Sequence, residues 1–347
     1  MRILVHEFAS GGGFAGRDVP ASLAREGAAM RAAVVADLAA LRRHEIVTTA
    51  DPRFPLRAPP AVEVLAAHPE RATLSDRLIA SVDAVWLIAP ETDRCLERLA
   101  ARVERNRRRL LGPGASAIRR ASDKAGLARR LALHGIPHPI ARLIRRDDEV
   151  AVAVTAIGYP LVVKPRRGAG CGGVGLVRNA RELGDAIRAA RRAGGRQSVV
   201  LQRYIRGTAA SVSLLCDGRR ATALSVNAQS VRASHSFVYS GGCTPIDHPL
   251  AHRAVDAARR TCRAVQGLRG YVGVDLVLTE SEAFVIEVNP RLTTAYLGVR
   301  SAVGEDDGER TNIAGMVIAS CDGHLQRPPC MRQRVRFTSA GHVVTLR

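Results

Sequence analysis

The chain of 347 residues predicts an α/β amino-terminal domain followed by a larger α+β region. Three observations carry this. Over residues 1–114, short apolar runs alternate with helical stretches, the pattern of parallel βαβ units. After Gly194-Gly195 the pattern becomes a series of β segments at 198–205, 211–216, 221–227, 272–278 and 283–288, interrupted by a single helix near 250–267. The length exceeds that of a typical single domain, and 46% hydrophobic with 24% charged residues describes an ordinary globular chain, excluding disorder, collagen and a disulfide scaffold.

Each element follows from local pattern. Residues 2–8 form a strand that ends in the cluster Ser10-Gly11-Gly12-Gly13. A helix is expected from about Pro20 to Arg43, because Leu23, Ala28, Val34, Val35, Leu38 and Leu41 recur near 3.6-residue spacing. A strand at Glu45–Thr49, a helical stretch near 70–80 and a strand at Ala84–Ile88 follow, the last closed by Ala89-Pro90-Glu91. Loops after such strands face a ligand in parallel sheets. Ser122 is expected to cap a helix running to His134, ended by Gly135-Ile136-Pro137. Leu161–Pro165 is a strand, a glycine-rich loop spans 168–175, the strand resumes at 175–177, and a helix covers 180–193. The expected domains are 1–114, 115–194 and 195–347. The basic tail 325–347 shows no readable pattern.

No window approaches a membrane span, and the opening MRILVHEF lacks the architecture of a signal peptide, so a cytoplasmic protein without a membrane partner is expected. The seven scattered cysteines never stand as C-x-x-C and read as reduced thiols, mostly small buried hydrophobes, and not as a zinc site. The formal net charge is +20, which would suit a polyanion. However, the arginines are spread in pairs such as Arg42-Arg43 and Arg259-Arg260, and aromatics make up only 3%, so little is available to stack bases and no specific nucleic-acid partner is expected. Of the 52 basic residues, 50 are arginine and only Lys124 and Lys164 are lysine. A chain-wide arginine bias is background composition. Against it, the two lysines mark positions needing a compact point charge on a slim stem.

The strongest chemical constellation is Asp275 in GVDLV, followed by Glu287 and Asn289 in VIEVNPR. Both segments alternate with period 2, so as antiparallel neighbours they present Asp275, Glu287 and Asn289 on one surface. Two carboxylates and an amide oxygen suit Mg2+ or Mn2+ held against phosphates. In the loop Arg166–Gly175, Gly168, Gly170, Gly172 and Gly173 let backbone approach phosphate oxygens. It lies between two strands, which favours a phosphate lid over a dinucleotide fingerprint. A second G-x-G-x-x-G, Gly11 to Gly16, follows the first strand and keeps an NAD(P)-dependent oxidoreductase as the enzymatic rival. No acid closes the next strand at the usual distance of about 20 residues. Lys124, near a helix start, and Lys164, just before the glycine loop, can each set an ammonium on a nucleotide phosphate.

In this order these elements resemble the ATP-grasp superfamily of carboxylate–amine ligases over roughly residues 115–320, with the preceding α/β segment similar to the domain that usually precedes the grasp. The opening HEFASGGGF, the hinge Leu201–Gly207 with Ala210-Ser211-Val212-Ser213, and Tyr239-Ser240-Gly241-Gly242 are most similar to the tyramine–glutamate ligase group and its bacterial relatives. The resemblance implies an ATP-grasp fold of two subdomains gripping ATP. It gives Lys124, Lys164 and the 168–175 loop to the triphosphate, and backbone at Arg203 and Ile205, beside Gln202 and Tyr204, to adenine. It gives Asp275, Glu287 and Asn289 to Mg2+ or Mn2+, and Arg291 to the transferring phosphoryl group. The implied reaction joins a carboxylate, glutamate being the expected one, to an amine such as tyramine through an acyl phosphate. Ser10, Gly11, Gly12 and Gly13, Glu91, and the segment Asn227–Gly242 with Arg232 within it are the candidate contacts to these small-molecule substrates. Gln202 and Ala209 depart from the acidic residues many members carry there. A nucleotide- or polyanion-binding protein with a degenerate site is therefore the non-enzymatic alternative. The sequence leaves monomer and homodimer open.

Overall fold

The computed structural model describes residues 1–68, 73–195, 198–306 and 309–346. The amino-terminal sheet is parallel, with strands in the order 62–66, 45–50, 2–7, 84–88, 109–110. Pleating sends Ile3 and Val5 to one face, where Val34 and Leu38 of helix Ala21–Ala40 meet them. Leu4 goes to the other, against Leu96 and Val103 of helix Cys95–Arg105. Burial on both faces is why these strands read as nearly continuous apolar runs. Of the stretch expected near 70–80, residues 70–72 lie outside the described residues, and Asp76–Ala80 is helical, capped by Ser75.

The second sheet is antiparallel, 141–144, 199–203, 161–165, 175–177, and packs on helices Val150–Ile157 and Ala180–Ala193 through Ile157, Val163, Ile187 and Leu201. It draws strands from both sides of Gly195. The third sheet is antiparallel, in the order 283–289, 269–278, 208–217, 221–233, 237–244, 334–338, 343–346. Val212, Leu214, Val274 and Leu276 face helix Ala251–Ala264. Tyr271 and Leu215 face the other way, into the core that holds Val34 and Leu38. The amino-terminal domain and the third sheet therefore share one core. Fully burying each such aliphatic side chain contributes about 1.5–3 kcal/mol. The tail supplies two edge strands, with Phe337 buried, although its short, charge-interrupted runs gave no pattern to read.

One local expectation is corrected. Ser122 closes helix Ala115–Ser122, and Asp123 is the cap of helix Lys124–Leu133, accepting from the Gly126 N–H at 3.2 Å. A carboxylate at the N-cap satisfies an orphan N–H and suits the helix dipole, so it competes well with the neighbouring serine.

Among the described residues, no helix is long and apolar enough to cross a membrane.

Candidate active site between the lobes

On the third sheet Asp275 pairs in register with Glu287 on one side and with Ser211 on the other, while Gly273 faces Asn289. The period-2 face expected from sequence is thus assembled from adjacent strands. Asn289 Nδ2 donates to Asp275 Oδ2 and Gln229 Nε2 to Asp275 Oδ1, both at 3.0 Å. Burial, and then the charge of Glu287, push the Asp275 carboxyl well above the ordinary carboxylate range. Glu287 feels the same burial, but Lys124 and Lys164 outweigh it and hold this group low.

Both lysines are placed by one joint. Asp123 is clasped by Arg166 at 2.8 and 2.5 Å, and the Lys124 N–H donates to the Arg166 carbonyl at 3.1 Å, tying the helix start to the end of strand 161–165. From the first turn of the helix, Lys124 Nζ reaches Glu287 Oε2 at 3.1 Å and donates to the Gly168 carbonyl at 3.0 Å. Lys164 is only 4% exposed, and burial lowers its ammonium to about 8, against the opposing pull of Glu287.

The glycine loop connects two antiparallel strands and opens no helix. Gly170 and Gly173 have φ of 62° and 71°, the left-handed region that side chains disfavour. The loop is docked across domains by a bond from the Ala169 N–H to Thr92 Oγ1 at 3.3 Å. In the hinge, Gln202 is buried, the Arg203 N–H donates to the Ile140 carbonyl at 2.8 Å and the Tyr204 N–H to Pro160 at 3.2 Å, with Ile205 just past the strand end.

Asp275, Glu287, Asn289, Arg291 and Gly170 meet in a cavity of about 350 Å³. Arg291 is clasped by Glu91 at 2.9 and 3.3 Å. Ser10 to Gly13 and Arg232, also expected as substrate contacts, are not brought there. Ser10, Gly11 and Gly12 are buried outside the lining, and Arg232 is exposed. What Ser10 does instead is visible: its N–H and hydroxyl donate to Glu7, both at 2.6 Å, and its carbonyl accepts from Arg31 at 2.8 Å. Arg31, fully buried, also donates to the Thr49 and Phe54 carbonyls. The Gly11–Gly16 segment is thus folded over Glu7 in turns, and the helix opens only at Ala21.

Sequence reasoning missed Glu7, Glu26 and Thr294 of the lining, while Gln229, Val231 and Tyr239 come from the expected segment Asn227–Gly242. Glu26 and Thr294 come together from residues 268 apart, which no local pattern encodes.

A glycine loop preceded by Lys164 and touched by Lys124 thus lies against the paired carboxylates of the third sheet. Residues 121–295 match the ATP-grasp domain family and residues 44–118 the pre ATP-grasp 3 domain, and the chain belongs to the ATP-grasp family. The tyramine–L-glutamate ligase of Methanocaldococcus jannaschii is 34% identical over 105 residues, which are 30% of this chain and 33% of that protein. The chain thus aligns with about a third of that relative. An ATP-grasp superfamily protein from Archaeoglobus fulgidus is similar over 97% of this chain and 92% of that chain, with 26% identity and a TM-score of 0.70. The biotin carboxylase of Campylobacter jejuni, solved with an ATP ligand, shares the fold at a TM-score of 0.74 and 15% identity, covering 96% of this chain and 74% of that chain.

Proposed function

We propose that this protein is an ATP-dependent carboxylate–amine ligase working through an acyl phosphate. The observation that carries the reading is the convergence of Lys124 and Lys164, from one side, on the Asp275–Glu287 pair. Two carboxyls face each other across adjacent strands, and among the described residues Asn289 uses its Nδ2 on Asp275 and leaves its amide oxygen to accept nothing. This is a hard-oxygen set that fits Mg2+ or Mn2+. Such an ion, when bound there, would offset negative charge on the phosphates.

The chain's own residues do the rest. Lys124 and Lys164 hold phosphate oxygens, and the 168–175 loop shields them from water, which would hydrolyse an activated acyl group. With the Arg203 and Tyr204 N–H groups already bonded, the Arg203 carbonyl and the Ile205 N–H are left for the adenine edge. Arg291 faces the phosphoryl group as it passes to the carboxylate oxygen. The amine then attacks the acyl carbon, forming the C–N bond and releasing phosphate. Glutamate and tyramine are the working substrates, supported by the similarity to the tyramine–L-glutamate ligase of M. jannaschii. ATP-driven chemistry on such metabolites belongs in the cytoplasm.

The test is ADP release with ATP, Mg2+, glutamate and amines including tyramine, using carboxyl-¹⁸O substrate. Label in the released phosphate is expected. Unlabelled phosphate, or AMP as product, refutes the acyl-phosphate route. ATP binding without substrate-dependent ADP release would indicate a degenerate site.

A further inference from the structure

Helix Ala21–Ala40 of the amino-terminal domain lays one carboxylate, Glu26, on the wall of the cavity that holds Asp275, Glu287 and Arg291. Its charge acts on Arg291 and on the Tyr239 hydroxyl, which places it beside the reaction centre. Glu7 lines the same wall, but its oxygens are already occupied by the Ala9 and Ser10 N–H groups and the Ser10 hydroxyl. Glu287 is occupied by Lys124. Glu26, by contrast, has a single hydrogen-bond partner among the described residues, the Thr294 hydroxyl, which donates to Oε1. Oε2 remains to accept.

The rest of the wall decides what Glu26 can take. The cation in the lining, Arg291, is neutralised by Glu91, so this end of the cavity keeps a net negative charge. Leu23, Met30, Ile88, Pro90 and Val231 supply apolar surface to the same lining, between the polar Ser22, Gln229, Tyr239 and Thr293. With Glu7 and Glu287 occupied, the one carboxylate oxygen that Glu26 leaves to accept is poorly suited to a divalent cation, which needs several oxygens. It suits a ligand with one ammonium group and a hydrocarbon body.

We propose that Glu26 is the specificity determinant for the amine substrate: it receives the ammonium group of a primary arylalkylamine, while Leu23, Met30 and Ile88 take the hydrocarbon body. The role as substrate rests on the ligase reading above, but the binding claim can be measured without turnover.

The experiment is calorimetric titration of the full chain, loaded with a non-hydrolysable ATP analogue, with tyramine and with its alcohol analogue, in which hydroxyl replaces the ammonium. A charged hydrogen bond lost from a half-buried site corresponds to roughly 10- to 100-fold in affinity. The wild-type protein is expected to prefer the amine by that factor. Glu26→Gln should abolish the preference and leave alcohol binding unchanged, and Glu26→Asp should keep part of it. Unchanged binding of the ATP analogue and an unchanged melting temperature identify folded variants, and Asp serves as the charge-preserving control if Gln fails to fold.

Equal affinity for amine and alcohol in the wild type, a preference that survives Glu26→Gln, or no amine binding at all overturns the proposal. The ligase reading is judged separately by ADP release. Amine preference without ADP release defeats that reading and leaves this one standing. ADP release with an amine KM unmoved by Glu26→Gln does the reverse.

Discussion

Glu91 and Arg291 lie 200 residues apart and form a two-pronged ion pair, Nε to Oε1 at 2.9 Å and a terminal guanidinium nitrogen to Oε2 at 3.3 Å. The side chains are 3% and 12% exposed. The pair joins the loop after strand 84–88 to the residue just past Asn289-Pro290, so it fixes the Arg291 guanidinium at the cavity from the opposite domain. Removing one partner of a buried pair leaves an uncompensated charge and costs about 3–5 kcal/mol. Glu91→Ala and Arg291→Ala should each lower unfolding free energy by that order, and the double variant should cost less than their sum by about 1–3 kcal/mol. Urea denaturation of the four proteins checks this, and strict additivity would refute the coupling. Arg291→Ala should also slow ADP release by about 100-fold or more, the cost of losing a charge aimed at a transferring group.

Lys164 is an ammonium kept buried at the expense of stability. Burial lowers its ammonium from 10.5 to about 8, so the native state binds its proton less well than the unfolded chain does. At neutral pH the charged form therefore disfavours folding, by an amount on the order of 3 kcal/mol. Lys164→Met, of similar length and uncharged, should raise stability by about 1–3 kcal/mol while abolishing binding of the ATP analogue. Lys164→Arg keeps charge but adds bulk in a fully packed strand, and should lose at least about 100-fold in ADP release. Thermal melts and nucleotide titration on the same two variants decide it. A destabilised Lys164→Met protein would contradict the burial argument.

The strands of the candidate site were readable because Asp275, Glu287 and Asn289 sit in period-2 apolar segments, where alternation dictates which side chains share a face. The lysines stood out for a compositional reason, being two among 52 basic residues. Glu7, Arg31 and Glu26 gave no such signal. Each is a charged residue in an apolar run, and its neighbours Ser10, Thr49, Phe54 and Thr294 come from loops, strands and a distant turn. The same long-range pairing explains the expectation that Ser10 to Gly12 contact substrate. Their glycines serve a tight fold over Glu7, which local sequence cannot distinguish from a ligand loop. The tail strands 334–338 and 343–346 were invisible because an edge needs only two or three inward apolar residues, here Val335, Phe337 and Val343.

His6 gives the protein an acid limit. It is fully buried, its Nδ1 lies 2.9 Å from Thr49 Oγ1, and burial, reinforced by Arg31, lowers its pKa from 6.5 to about 4. Between those values the unfolded chain binds the proton and the native chain does not, so stability is complete above about 6.5 and falls as pH drops toward 4. The loss is on the order of 3 kcal/mol. Glu7 beside it is shifted up by burial and works in the opposite sense, but it is common to both proteins in a comparison with His6→Gln. Unfolding free energy measured from pH 7 to pH 4 should fall more steeply for the wild type than for His6→Gln. Parallel curves would show that His6 does not titrate in this way.

Gly27 tests how closely helix Ala21–Ala40 must approach the amino-terminal strand. A Cβ there would fall far inside contact distance of the Glu7 carboxylate, whose carboxyl carbon and both oxygens are its nearest neighbours. In an exposed helix, glycine to alanine stabilises by about 1 kcal/mol through propensity. Here the added methyl would push against a group held by three hydrogen bonds from Ala9 and Ser10, and overpacking of this kind costs about 1–3 kcal/mol. Gly27→Ala should therefore destabilise the protein, reversing the sign expected from propensity. Because displacing either Glu7 or the helix shifts Glu26 on the neighbouring position, the amine KM should rise several-fold while that for ATP stays within about two-fold. Gly184→Ala, on helix Ala180–Ala193, is the control. The nearest atom there is the flexible end of Arg188, so stability should rise and both KM values should hold. A Gly27→Ala protein as stable as that control would mean that the helix can move away from Glu7 without cost.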